Sequence, residues 1–80
     1  MPKLRRISGA TLVLIFGRFG FEVVASRGSH AKLRRYVGTV KQTITVPLHD
    51  ELDTGTLRAI LRQASAYIPE SELLPHFRAE

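Results

Sequence analysis

Between Ser29 and Tyr36 the chain alternates without a break. His30, Lys32, Arg34 and Tyr36 fall on one side of an extended backbone, and Ser29, Ala31, Leu33 and Arg35 on the other. A helix would mix these sets around its circumference, so the segment reads as a strand with Ala31 and Leu33 turned inward. An imidazole and two cations then share the open face. Phe21–Ser26 before it and Thr43–Val46 after it are rich in β-branched and aromatic residues and read as two more strands. Pro47, which has no amide to donate, stops the third. Arg27-Gly28 makes the first turn, and Val37–Gln42, containing Gly38, reads as the second hairpin connection.

Helices bracket these strands. Ser8 is placed to cap a helix over Gly9–Phe19, with Leu12, Ile15 or Phe16, and Phe19 at core spacing and Gly20 as a left-handed C-cap. Val13 and Leu14 do not fit the same core face, which leaves apolar surface for a partner or a second copy. Asp53 or Thr54 caps a second helix, Thr56–Ala66, which turns Leu57, Ile60, Leu61 and Ala64 inward and Arg58, Arg62 and Gln63 toward water. Pro69–Leu74 allows one last helical turn. The expected fold is α+β: an α-β-β-β-α chain, with a three-stranded antiparallel sheet covered on one face by helices. Its 80 residues make a single domain, with 1–7 a basic arm, 8–66 the core and 67–80 a tail.

Lys and Arg number 12 against 7 Asp and Glu, for a net charge of +5. So basic a surface on so small a body favours polyanions, with RNA or DNA foremost. The absence of cysteine excludes disulfides and thiolate zinc sites. The longest apolar run, Leu12–Phe16, is too short to span a membrane, and Gly17-Arg18 interrupts it too early for a signal peptide. The reading is a cytoplasmic protein.

Arg27-Gly28-Ser29-His30 is the stretch with chemistry in it. Glycine lets another backbone approach closely, and an imidazole moves protons at cellular pH while Lys32, Arg34 and Arg35 hold an anion. In RNA the 2′-hydroxyl lies beside the scissile phosphate, so removal of its proton by His30 drives cleavage to a 2′,3′-cyclic phosphate without a metal. Gly28 and Ser29 are candidates to lend an amide or hydroxyl to the phosphate. His49 is a candidate second proton carrier, and His76 is incidental. No pair among His30, His49, Asp50 and Asp53 has a recognised metal spacing, so neither metal nor cofactor is expected. Lys3, Arg5, Arg6, Arg58 and Arg62 are candidate backbone contacts, and Tyr36 a candidate stacking platform.

Four segments in this order carry a resemblance: Gly20-Phe21-Glu22-Val23-Val24, Arg27-Gly28-Ser29-His30, Val46-Pro47-Leu48-His49, and Gly55 through Ala64. Together the chain resembles the HicA family of toxins, small RNA-cleaving members of prokaryotic toxin–antitoxin pairs. The resemblance implies a fold like the double-stranded-RNA-binding domain, mRNA as target, His30 as catalytic residue and a HicB-like antitoxin that covers it. The chain departs from the family in carrying Leu14 and Gly17 on the outer face of its first helix, in a short loop from His49 to Gly55, and at Val37–Gln42. Two other functions stand beside the endoribonuclease: a non-catalytic RNA-binding module of the same fold, and an interaction protein self-associating through the apolar first helix.

Overall fold

The computed structural model describes residues 3–79, in the order α1 (Gly9–Arg18), β1 (Glu22–Arg27), β2 (His30–Val37), β3 (Val40–Pro47), α2 (Thr54–Ser65) and α3 (Glu70–Phe77). The strands form one antiparallel sheet in the order β1-β2-β3. Ala31, Leu33, Ile44 and Val46 point from one sheet face into a core shared with Leu12, Ile15 and Phe16 of α1 and Leu57, Ile60 and Leu61 of α2. The expected α+β architecture is therefore the one observed, with α3 as a further element.

Local sequence explains each boundary. The Ser8 hydroxyl accepts from the Thr11 amide at 3.1 Å and caps α1. At the other end the Phe21 amide donates to the Phe16 carbonyl and the Gly20 amide to that of Gly17, both at 3.1 Å, with Gly20 at φ +93°. This is a Schellman motif, and its accompanying apolar contact is Phe16 edge-on to Phe21, ring centroids 6.0 Å apart. It swings the chain directly from α1 into β1.

The first turn lies one residue later than the expected Arg27-Gly28, and the second is tighter than the sequence suggests. Arg27 pairs with His30 across Gly28-Ser29, and Val37 with Val40 across Gly38-Thr39. In both, a positive-φ glycine comes first and a residue without positive φ second, the pattern of the two-residue II′ turn. The second connection is thus two residues and not Val37–Gln42, because Val40, Lys41 and Gln42 already pair with β2. β1 is an exposed edge, and a bulge between Val23 and Ala25 interrupts its register.

The ends of the chain clasp each other. The Arg5 amide donates to the Phe77 carbonyl at 2.8 Å and the Ala79 amide to that of Lys3 at 2.7 Å, while Leu4 and Arg78 form a β-bridge. The turn expected at 69–74 continues as the eight-residue α3, which buries Leu73 and Phe77 in the core with Ile7. Met1, Pro2 and Glu80, the outermost residues of the expected arm and tail, lie outside the described residues.

Candidate functional site

The two-residue turn at Gly28-Ser29 starts β2 at His30 and sets its register against β3, with Pro47 opposite His30. Beyond Pro47 the chain stays close to this turn, because the Leu48 amide donates to the Ser29 carbonyl. The next residue is fixed from the other side: the Gly9 amide, at the start of α1, donates to the His49 carbonyl at 2.9 Å. As a result the His30 and His49 rings face each other edge to face, centroids 6.5 Å apart, both exposed. Two imidazoles separated by nineteen positions in sequence flank one solvent-open space.

The open sheet face supplies the charge. Lys32 and Arg34 follow His30 along β2, Arg27 pairs with His30 from β1, and Lys41 pairs with Tyr36 from β3. The Arg34 guanidinium lies 5.6 Å from the centre of the Tyr36 ring, and Tyr36 is 60% exposed. Glu22, opposite Arg34, is the acid on this face. Among the described residues the one ion pair joins Arg6 and Glu51 at 3.8 Å, so these cations meet no carboxylate within bonding distance.

Arg35 differs from its neighbours. It lies on the other sheet face, half-buried, and all three guanidinium nitrogens are engaged. Nε donates to Gln42 Oε1 at 2.6 Å, Nη1 to the Phe19 carbonyl at 2.7 Å and Nη2 to the Tyr67 carbonyl at 3.0 Å. The group also covers the Phe21 ring at 4.9 Å. It fastens β2 and β3 to the chain just beyond α1 and α2, on the face of the sheet away from Lys32 and Arg34. Ser29 sits in the turn, exposed, with its carbonyl committed to Leu48. Gly28 occupies φ +58°, and nothing surrounds the place where a side chain would stand. His76 lies away from this site, edge-on to Phe19 at 5.6 Å.

Beside His30 a groove of about 410 Å³ runs between the β3 edge and α2, lined by Thr45, Pro47, Thr56, Ala59, Ile60 and Gln63. Asp53 sets the first turn of its helical wall, with Oδ1 accepting from the Thr56 amide at 2.7 Å. That amide, then the Thr56 hydroxyl, hold the Asp53 carboxyl below its ordinary pKa; slight desolvation opposes them, and the Gly55 amide and the charge of His49 add to the lowering. Among the described residues no three His, Asp or Glu side chains gather as metal ligands, and no helix is long and apolar enough to cross a membrane.

The profile of a family described as the HicA toxin of bacterial toxin–antitoxin systems matches residues 9–66, most of the 80-residue chain. The chain belongs to the HicA toxin family. No curated protein and no solved structure gives a match. The HicA match runs from the first residue of α1 to just past the end of α2, and so contains His30, His49, the pinning Gly9 and the whole groove. HicA toxins pair with antitoxins, and the exposed apolar side chains open to a partner include Leu14 on α1, 71% exposed, and Val23 and Val24 on β1.

Sequence reasoning left the His30–His49 pair unassembled, and missed Gly9, Thr45, Thr56 and Gln63. A signal for the pair was present. Gly38-Thr39 is itself a two-residue turn sequence, and counting back along both strands from Val37 and Val40 lands Pro47 opposite His30, with His49 just beyond. Gly9 carries no such signal, because its role depends on which backbone α1 meets.

Proposed function

We propose that this HicA toxin is an endoribonuclease that cleaves mRNA in the cytoplasm with His30 and His49 as a proton-transfer pair. His30 removes the proton of the ribose 2′-hydroxyl, and the freed oxygen attacks the adjacent phosphorus. The bond from phosphorus to the 5′-oxygen of the next nucleotide breaks, and His49 gives that oxygen its proton. The products are a 2′,3′-cyclic phosphate and a 5′-hydroxyl. Lys32, on the same face, stabilises the charge that grows on the phosphorane, while Arg27 and Arg34 hold the flanking backbone. Gly28 and Ser29 bring the turn close to the phosphate. A HicB-like antitoxin silences the toxin by covering His30 and the cationic face around it.

The observation that carries this reading is the ring pair at 6.5 Å on a face whose cations, among the described residues, meet no carboxylate within bonding distance. The test is incubation of a long single-stranded RNA with the native protein and with His30→Ala, in excess EDTA. Cleavage by the native protein alone, leaving 5′-hydroxyl ends, is the expected result. A 5′-phosphate on the downstream fragment overturns the proposed chemistry. Salt-sensitive binding without cleavage by either protein leaves an RNA-binding module.

A further inference from the structure

The groove beside His30 has a composition that the cleavage chemistry does not use. Among the described residues, His30 is the one ionisable side chain that lines it. Pro47, Ala59 and Ile60 give it apolar walls, and Thr45, Thr56 and Gln63 place two hydroxyls and one carboxamide among them. Charge is therefore sorted: cations lie along the open sheet face, and neutral donors and acceptors lie in the groove. A nucleotide is sorted the same way, with an anionic phosphate and a neutral, flat base edged with hydrogen-bonding groups. A volume of about 410 Å³ falls in the range of small-molecule sites, about 300–1,000 Å³, and so suits one nucleoside.

We propose that the groove receives one unpaired nucleobase of the RNA whose scissile phosphate lies at His30 and His49, and that Gln63 reads its edge. The proposal rests on the ribonuclease reading for the position of the phosphate. Gln63 is suited to the task because its present commitment is weak. Its Oε1 accepts from the Thr45 amide, on the outer edge of β3, at 3.4 Å, long for such a bond. A base edge entering the groove exchanges that contact for a better one, and the amide nitrogen still carries two donors. The Thr56 hydroxyl on the same wall offers both a donor and lone pairs to the base. Duplex RNA offers no free base to such a groove. The substrate class is therefore single-stranded RNA, cut with a preference for the base beside the break.

The test uses the full chain with Gln63→Ala and with Ala59→Phe, whose phenyl group fills the groove from an exposed helix position. Thermal melting checks that both are folded. Cut sites are mapped on a long single-stranded RNA, and affinity is read separately with an uncleavable 2′-O-methyl oligonucleotide of mixed sequence. Ala59→Phe is expected to weaken binding about tenfold, the size of one lost base contact. Gln63→Ala is expected to flatten the preference at one position beside the cut by about tenfold. If the native protein cuts and both variants cut the same bases with unchanged affinity, the groove proposal is overturned and the nuclease reading stands. If nothing cuts but Ala59→Phe still weakens binding, the nuclease reading falls and the groove remains a base site. Equal binding with no cutting overturns both.

Discussion

Gly9 and His49 are joined backbone to backbone, the glycine amide donating to the histidine carbonyl at 2.9 Å. The contact depends on the missing side chain. A Cβ on residue 9 would stand 2.0 Å from the Pro47 carbonyl oxygen and 2.7 Å from Leu48 Cα, both backbone atoms with no rotamer to escape into. Gly9→Ala therefore has to push α1 and the 47–49 segment apart. We expect a loss of about 1–3 kcal/mol in urea unfolding. RNA cleavage per folded molecule should also fall, by up to about 10²-fold, as His49 leaves its place opposite His30. Full cleavage by a destabilised Gly9→Ala would show that the position of His49 does not matter.

Each histidine can be removed separately. His30→Ala should lower the cleavage rate by about 10²–10⁴-fold, and His49→Ala by a similar factor, with RNA affinity changed little in either. Because one group must start deprotonated and the other protonated, the native rate should fall on both sides of an optimum pH. His49→Ala should lose the alkaline fall, and His30→Ala the acidic one. Rates measured across pH with saturating RNA decide the assignment, and an exchange of the two limbs would reverse the roles.

Arg35 and Arg34 are neighbours in sequence with opposite expected phenotypes. Arg35→Ala leaves the Phe19 and Tyr67 carbonyls without their donor and should cost about 2–4 kcal/mol, seen as a lower melting temperature. Arg34→Ala and Lys32→Ala should barely move the melt. They should instead weaken RNA binding and reduce the slope of log affinity against log salt by about 0.7 each, the single-strand value. Unchanged stability in Arg35→Ala would remove its role as the fastening between sheet and helices.

Asp53 gives a prediction in pH. Its folded-state pKa is depressed, so the stability that it contributes is present above its ordinary value of 3.8 and is lost as pH falls through the folded value. Asp53→Ala should melt below the native protein at neutral pH, and the gap should close under acid below that value. Asp53→Asn keeps an acceptor for the Thr56 amide and should lie between the two. Melting curves at several pH values are sufficient, and a gap constant into strong acid would show that the carboxylate charge plays no part in the cap.

The fold was largely legible because its elements obey local rules. Strict alternation at 30–36 puts Leu33 inward and Lys32 outward, and Ser8 and Asp53 cap where a cap is expected. The site was legible only along single strands. His30 with Lys32 and Arg34 follows from the two-residue period of a strand, whereas His30 with His49 requires the register between two strands. Arg35 shows the other limit. Alternation places it on the inner face, but which carbonyls it meets is decided by the chain just past the ends of α1 and α2, which no local pattern specifies. Gln63 likewise reads as a water-facing helix residue until β3 is laid beside α2.

The clasp between residues 3–5 and 77–79 bears on how the protein is made. A ribosome delivers His30 and His49 well before Phe77, yet Phe77 packs on Phe16 with ring centroids 6.1 Å apart and closes the core beneath α1. Until that ring arrives, α1 lacks part of its support, and with it the amide that fixes His49. A chain that ends before Leu73 keeps both histidines but has neither Leu73 nor Phe77 to close the core that supports them. A chain truncated there should therefore melt well below the full one, and thermal melting of residues 1–72 beside the full chain reads the difference.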